Sequence, residues 1–90
     1  MDAKREAAII EAAIAHFGPE RQVLKAIEEL GELSIELARY LNGMGNLEAV
    51  HEEMADCIVM LNQLELIYGS VETVKTAKLE RLAGMIYENI

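Results

Sequence analysis

The chain has 90 residues, of which 52% are apolar, and its formal net charge is −8. This length predicts a single domain, residues 1–90, and so small and apolar a domain is expected to bury part of its surface in a homo-oligomer. The negative charge and the lack of a basic stripe argue against a nucleic-acid polymer as partner. Neither a signal peptide nor a membrane-spanning segment is visible, which predicts a cytoplasmic protein that binds no membrane.

Four helices joined by short loops are predicted, because apolar residues recur at helical spacing and no strand pattern or repeat is seen. Asp2, Asn46 and Ser70 are suited to cap helices, since their side chains accept hydrogen bonds from the free N–H groups of a first turn. Gly18 and Pro19 separate the first two helices. The fold class is therefore all-α, a four-helix bundle, with helices over roughly residues 3–16, 19–41, 47–68 and 71–88.

The second helix carries two stripes of different character. One stripe is apolar and recurs at the spacing typical of a surface that packs against a partner helix. It consists of Val23, Ile27, Leu30, Ser34, Leu37 and Leu41. The other stripe lies roughly opposite, is charged, and consists of Lys25, Glu29, Glu32 and Glu36. Gly31 costs about 1 kcal/mol relative to alanine inside a helix, which the close approach of a neighbouring helix or a ligand would explain.

Two acidic pairs are the strongest chemical signal in the chain. Glu29 and Glu32 lie three residues apart on the second helix, and Glu53 and Asp56 have the same spacing on the third. This spacing places the carboxylates of a pair one turn apart on one helix face. Twenty residues separate the pairs, enough for a turn and an antiparallel helix that brings them face to face. Carboxylate oxygens gathered around one small volume are the ligands that a hard divalent cation prefers.

The first pair, taken alone, has an ordinary explanation. Charge runs on a helix usually form a solvated face, and here Lys25 can pair with Glu28 or Glu29 on such a surface. Nothing in the second helix by itself shows whether these acids form a solvated surface or one side of a metal site. Which explanation applies depends on the residues of the neighbouring helix that face them.

The third helix is harder to explain without a ligand. It is apolar nearly all round, and it is expected to be the most buried helix. Glu53 falls on the same stripe as Ala49, Cys57 and Met60, and Asp56 lies at the edge of that stripe. Burying an unpaired carboxylate costs several kcal/mol. Because the chain has only eight basic residues for sixteen acids, a metal explains these carboxylates better than the alternative, an intrachain ion pair.

Other reactive residues have ordinary explanations. Cys57 is the only cysteine, which excludes an intrachain disulfide and a cysteine-rich zinc site, and it is expected to be a small core residue. His16 is placed at the end of the first helix, where a cation favours the helix dipole. Glu48 and His51 have the spacing of a di-iron half-site, but such sites need a second copy on another helix. His51 also points away from Glu53, so it is expected on the surface or in an interface.

Around the two acidic pairs the chain resembles the all-α nucleoside triphosphate pyrophosphohydrolases, the MazG-like proteins. The likeness is carried by EELGEL at 28–33 and EEMADCIVMLNQL at 52–64, and it covers roughly residues 16–86. Phe17-Gly18 followed by Gln22 resembles the family's lead-in, and Lys78-x-x-Arg81-Leu82 resembles its basic segment. The resemblance implies a MazG-like four-helix bundle that assembles as a homodimer or homotetramer.

The activity that the resemblance implies is the cleavage of a nucleoside triphosphate, often a non-standard one, to the monophosphate and pyrophosphate. It implies Mg²⁺ as cofactor, with Mn²⁺ as a substitute. The implied metal ligands are Glu29, Glu32, Glu53 and Asp56, with Glu28 as a further ligand or an outer contact. Glu29 or Glu32 would also act catalytically by orienting or deprotonating the attacking water. The implied phosphate-binding residues, from the same or a neighbouring subunit, are Lys75, Lys78 and Arg81.

Three alternatives stay open. Phosphoribosyl-ATP pyrophosphohydrolase has similar acidic blocks, but the Ser-Tyr-Thr lead-in that usually accompanies it is absent here. An enzyme directed at dUTP or dCTP is compatible with the same residues, because base choice depends on the shape of a pocket. A non-catalytic helical oligomer that binds metal or nucleotide is the third. Leu82 stands near the place where many relatives carry an asparagine, which puts base recognition through that position in doubt.

Overall fold

A computed structural model of the chain describes residues 1–87. Within these residues the chain forms four α-helices and no strand, as predicted: α1 Ala3–Phe17, α2 Pro19–Leu41, α3 Leu47–Tyr68 and α4 Glu72–Tyr87. The predicted end of the fourth helix at position 88 lies outside the described residues. None of the described helices is both long and apolar enough to cross a membrane.

The predicted helix caps are confirmed. The side-chain oxygen of Asp2 accepts a hydrogen bond from the N–H of Arg5 at 2.7 Å, and that of Asn46 accepts from Ala49 at 2.7 Å. The hydroxyl oxygen of Ser70 accepts from the N–H of Glu72 at 3.2 Å. These bonds satisfy donors that a first helical turn leaves free, so polar residues at the predicted boundaries fix where the helices begin.

The core lies between α2 and α3, which form an antiparallel hairpin closed by the loop at 42–46. Its buried apolar side chains are Ala26, Val50, Cys57 and Met60. The α3 stripe predicted from helical phasing is the one that turns inward, since Cys57 and Met60 are buried and Glu53 is half-buried beside them. Helix α1 packs against both members of the hairpin and buries no residue of its own.

The apolar stripe of α2 does not make the expected packing contact within the chain. Ile27 is 64% exposed and Leu41 is 86% exposed, and Leu30 and Leu37 are exposed as well. The side of α2 that faces α3 instead buries Gln22, Ala26 and Glu29. We call Gln22, Ala26 and Glu29 the inner face of α2, and Ile27, Leu30, Leu37 and Leu41 its outer face.

Helix α4 projects from the other three. No Cα atom of α4, up to Tyr87, lies within 8 Å of α1, α2 or α3. The radius of gyration is 16.2 Å, whereas a compact domain of this length has about 12 Å. Gly31 is also free of neighbours, because a Cβ atom built there would meet nothing within 4 Å. The single chain thus leaves apolar helix surfaces uncovered at several places.

Candidate metal site between α2 and α3

The hairpin brings the two predicted acidic pairs together. Glu29 lies on the inner face of α2 and is only 6% exposed, so the solvated-face explanation does not apply to it. Its carboxylate approaches those of Glu53 and Asp56 on α3, and one oxygen from each of these three residues lies within 4.8 Å of the others. Oxygens from Glu28, Glu29 and Glu32 form a second group with the same limit. Glu29 belongs to both groups and therefore stands at the centre of the acidic cluster, defined as Glu28, Glu29, Glu32, Glu53 and Asp56.

Two oxygens of the acidic cluster are buried without a partner. Oε2 of Glu29 and Oε2 of Glu53 accept no hydrogen bond from the described residues. A buried carboxylate oxygen without a donor loses its hydration and gains nothing in return, which is unfavourable. All the atoms that could bind a metal ion here are carboxylate oxygens, the ligand type that Mg²⁺ and Mn²⁺ prefer over nitrogen or sulfur. The residues of the cluster therefore fit a hard divalent cation.

Lys25 partly neutralises the cluster. Its Nζ lies 3.1 Å from Oε1 of Glu29 and 3.7 Å from Oε1 of Glu28, which are the pairings predicted from the sequence. The hydrogen bond to Glu29, together with the charges of Glu28 and Glu29, raises the pKa of Lys25. Because one ammonium cannot balance five carboxylates, the cluster keeps a net negative charge.

Burial and crowding change the titration of two groups on α3. Burial raises the pKa of Glu53, and the nearby carboxylates of Glu32, Asp56 and Glu29 raise it further. Burial also raises the pKa of Cys57, with the same carboxylates adding to the effect. Cys57 donates through Sγ to the backbone carbonyl of Glu29 at 3.4 Å. A buried thiol held in its neutral form is a poor nucleophile, so the predicted core role of Cys57 fits its surroundings.

The structure places the other predicted site residues at different distances from the cluster centre. Glu28, Glu32 and Asp56 are exposed at its edge, so of the second pair only Glu53 is partly buried. His16 and His51 are exposed, and His16 lies in the last turn of α1, as expected. The three predicted phosphate-binding residues, Lys75, Lys78 and Arg81, lie on α4. Since no Cα atom of α4, up to Tyr87, lies within 8 Å of another helix, these bases are not assembled with the acidic cluster of the same chain.

Sequence reasoning assigned no site role to a polar contact deep in the hairpin. Nε2 of Gln22 donates to Oε1 of Gln63 at 2.6 Å, and both side chains are buried. A usable signal was present, because Gln22 lies seven residues before Glu29 and therefore on the same side of α2. The apolar stripe of α2 predicts instead that the opposite side of the helix packs against a partner.

Comparisons with known proteins add no relative. No protein-family model matches the chain, and no curated protein or solved structure has significant similarity to it. The geometry and chemistry of the acidic cluster, together with the resemblance of its two sequence blocks, are the remaining indications of function.

Proposed function

We propose that this protein is a Mg²⁺-dependent nucleoside triphosphate pyrophosphohydrolase whose site is the acidic cluster. The observation that carries the proposal is that Glu29 on α2 and Glu53 on α3, whose carboxylates lie close together, each have a buried oxygen without a hydrogen-bond partner among the described residues. A purely structural bundle would be more stable with apolar residues at these positions. A bound cation would explain why carboxylates are present at positions where apolar side chains would be more stable.

The substrate class follows from the charge of the site. The cluster is strongly negative, so an anionic substrate binds only if cations lie between it and the carboxylates. A triphosphate with its divalent cations meets this requirement. When bound, Mg²⁺ supplies charge neutralisation on the phosphate oxygens and lowers the pKa of a water molecule. Polyphosphates without metal are repelled by the same carboxylates.

The carboxylates of the acidic cluster have two roles in this proposal, to bind the cation and to accept a proton from water. Glu29 on α2 and Glu53 and Asp56 on α3 would hold the cation, and Glu28 and Glu32 would complete the cluster on its exposed side. Glu32 is the accessible carboxylate that accepts the proton of the attacking water, with Glu29 as the alternative acceptor. The oxygen of the water forms a new bond to the α-phosphorus. The bond from the α-phosphorus to the oxygen that bridges the α- and β-phosphates breaks, and its electron pair leaves with pyrophosphate.

The proposal includes assembly into a homo-oligomer, a dimer or a tetramer. It is supported by the exposed outer face of α2, by the projecting α4 and by the large radius of gyration. An apolar helix face of this kind is normally covered by another helix. In an assembly, α4 of one subunit can bring Lys75, Lys78 and Arg81 to the triphosphate held by its neighbour. The three bases of α4 are opposite in charge to the acidic cluster.

The test is a screen of standard and damaged nucleoside triphosphates with Mg²⁺, with monophosphate and pyrophosphate measured separately. Glu53→Gln and Asp56→Asn are each expected to lower turnover by more than about 100-fold, because even residues that only support metal ligands cost up to about that factor when removed. Both variants should keep the helical circular-dichroism spectrum and the melting temperature of the parent, or melt higher.

Glu52→Gln is the matched control, since Glu52 is an exposed neighbour of Glu53 outside the acidic cluster. It should turn over nucleotides like the parent. Equal turnover by all variants would place the site elsewhere. A parent that binds Mn²⁺ but hydrolyses no nucleotide would instead be a metal-binding helical oligomer, the non-catalytic alternative.

A further inference from the structure

The loop that joins α2 to α3 contains a chemically reactive dipeptide. Asn42 is followed directly by Gly43, and this is the only asparagine-glycine pair in the chain. Asn42 caps the C-terminal end of α2, and both residues are exposed to solvent. Glycine has no side chain that would shield its backbone nitrogen from the preceding residue. The pair therefore places a side-chain amide carbon next to an unhindered nucleophile, within reach of water.

The chemistry that this pair allows is loss of the side-chain amide of Asn42. The backbone nitrogen of Gly43 forms a bond to Cγ of Asn42 and gives up its proton to hydroxide. The bond from Cγ to Nδ2 breaks, and Nδ2 leaves as ammonia after taking a proton from water, which regenerates the hydroxide. Water then opens the resulting cyclic imide at either of its carbonyl carbons, which leaves aspartate or isoaspartate. Water and hydroxide are the only reactants besides the chain.

The folded conformation holds this reaction back. Nδ2 of Asn42 donates a hydrogen bond to the backbone carbonyl of Ala38 at 2.8 Å, and the N–H of Gly43 donates to the carbonyl of Tyr40 at 3.1 Å. The ψ angle of Asn42 is 10°, which places the nitrogen of Gly43 beside the backbone nitrogen of Asn42 instead of beside its side chain. The attack therefore requires this turn to open and the ψ angle to rotate.

This turn is weakly restrained. It is the last turn of α2, and exposed helix ends open far more readily than the whole protein unfolds. A Cβ atom built at Gly43 would meet nothing within 4 Å, so packing does not hold that residue in place. One side chain ties down the loop, because Nη2 of Arg39 donates to the backbone carbonyl of Met44 at 3.3 Å, which is long for such a bond. The loop can therefore open while the core between α2 and α3 stays folded.

The product differs from asparagine in charge and in hydrogen bonding. A carboxylate at position 42 cannot donate to the carbonyl of Ala38, and it lies at the negative end of the dipole of α2. Asn46, at the other end of the same loop, provides the contrast. Its side-chain oxygen accepts from the N–H of Ala49 at the positive end of α3, a role that aspartate fills equally well. A negative charge is therefore unfavourable at position 42 and harmless at position 46.

We propose that Asn42 is a site of spontaneous deamidation, which the last turn of α2 holds back and which proceeds when that turn opens. The modification adds a negative charge and loosens the loop that connects the two helices of the acidic cluster. The reaction needs neither the proposed metal ion nor hydrolysis of a nucleotide, so its failure would leave the proposed function unaffected.

The experiment is incubation of the full chain in alkaline buffer without denaturant, followed by proteolytic digestion and mass spectrometry. Replacement of the amide NH₂ by OH raises the mass of the peptide that carries the site. Asn42 should react about tenfold or more faster than Asn46 and Asn62, which corresponds to a barrier lower by about 1.4 kcal/mol. These two asparagines precede Leu47 and Gln63, whose side chains shield the backbone nitrogen. Conversion of Asn42 no faster than that of Asn46 and Asn62 would overturn the proposal.

A variant of Arg39 tests whether the folded loop controls the rate. Arg39→Met removes the hydrogen bond to Met44 and should speed the conversion of Asn42 by about threefold, the factor that one net hydrogen bond of modest strength supplies. Arg21→Met is the matched control, because Arg21 is an exposed arginine at the other end of α2. It should react like the parent. Equal rates in the parent and in Arg39→Met would contradict control by the loop.

A second pair of variants measures the consequence of the modification. Asn42→Asp has the charge of the product and should lower the melting temperature of the metal-free protein by about 2 to 5 °C. Asn46→Asp makes the same change at the opposite kind of helix end, and it should keep or raise the melting temperature. A melting temperature of Asn42→Asp equal to that of the parent would show that deamidation leaves the loop intact, contrary to the proposal.

Discussion

The two faces of helix α2 reverse the usual arrangement of a small helical protein. The inner face, toward α3, buries Glu29 and Gln22, whereas the outer face exposes Ile27, Leu30 and Leu41. Stability alone would place these residues the other way round, because burying carboxylates is costly and exposing large apolar side chains forgoes the hydrophobic effect. Each face therefore indicates a requirement beyond folding of the single chain. The proposed cation would account for the inner face, and the proposed homo-oligomer would account for the outer face.

The largest effect is expected from making the inner face resemble the outer one. Glu29→Leu should lower pyrophosphate release by more than about 100-fold, since it removes the carboxylate shared by both groups of the acidic cluster. The same change should raise the melting temperature of the metal-free protein, because it replaces a buried charge with an apolar side chain. Activity and melting temperature are measured on the same preparation.

The control for this change is Glu20→Leu, which alters an exposed glutamate in the first turn of α2. It should leave both activity and melting temperature close to those of the parent. A Glu29→Leu protein that keeps its activity, or that melts lower than the parent without metal, would show that the inner face is not arranged for a cation.

The second effect concerns the outer face. Ile27→Glu should weaken self-association by about 30-fold or more, because a charge at a central apolar contact costs as much as losing an interface hot spot. Met44→Glu is the matched control, since Met44 lies in the loop at 42–46 and is 67% exposed, compared with 64% for Ile27. Analytical ultracentrifugation over a range of concentrations measures both. A monomeric parent would contradict the proposed assembly.

A change of pH is expected to have a smaller effect on the free energy of unfolding, and it tests the inner face in the absence of any ligand. Burial and the neighbouring carboxylates raise the pKa of Glu53 above its ordinary value of 4.5. The folded protein thus holds this proton more tightly than the unfolded chain does. The resulting stabilisation is complete below pH 4.5 and is lost as the pH rises through the raised pKa.

Chemical denaturation of the metal-free protein across this range measures the effect of Glu53 on the free energy of unfolding. Glu53→Gln, which cannot ionise, should remove this component of the pH dependence. Added Mn²⁺ should restore stability at the higher pH values, because the cation favours the ionised carboxylate. Identical pH profiles for the parent and Glu53→Gln would mean that Glu53 is fully solvated.

The smallest effect is expected at the border between the two faces. Lys25→Met should raise the affinity for Mn²⁺ by a few-fold, because the ammonium that lies 3.1 Å from Glu29 no longer competes with the cation. Lys4→Met, on an exposed position of α1, should leave the affinity unchanged. A weaker affinity in Lys25→Met would indicate that the lysine supports the cation instead of competing with it.

Much of the fold was predictable from the sequence. The caps at Asp2 and Asn46 and the loop at 42–46 have local causes in side-chain hydrogen bonds and turn residues, and local causes can be read from a single chain. The placement of α4 was not predictable in this way. Its position depends on which surfaces it can cover, and nothing in its own sequence determines that.

The acidic cluster was predictable for a different reason. Glu53 lies on an apolar stripe of α3, where helical phasing alone marks a carboxylate as unusual. Glu29 was ambiguous, because the apolar stripe on the other side of α2 indicated that this other side would face inward. The tertiary structure resolves this ambiguity, because it buries Glu29 against α3 and leaves the apolar stripe of α2 exposed. The hydrogen bond from Gln22 to Gln63 was not predictable from the sequence either, since a contact between positions 22 and 63 depends on how the hairpin packs.

The ion pair between Lys25 and Glu29 bears on whether the protein folds before or after it binds the proposed metal ion. A site made of carboxylates alone would resist folding until a metal arrived, as happens in small domains that fold only around their ion. Here Lys25 already serves as a counter-ion of Glu29, so the hairpin can form without a metal ion. A cation bound as proposed would have to compete with this lysine for Glu29, which would weaken its binding. In the proposed function, such a site would suit a cation that enters with each substrate and leaves with each product.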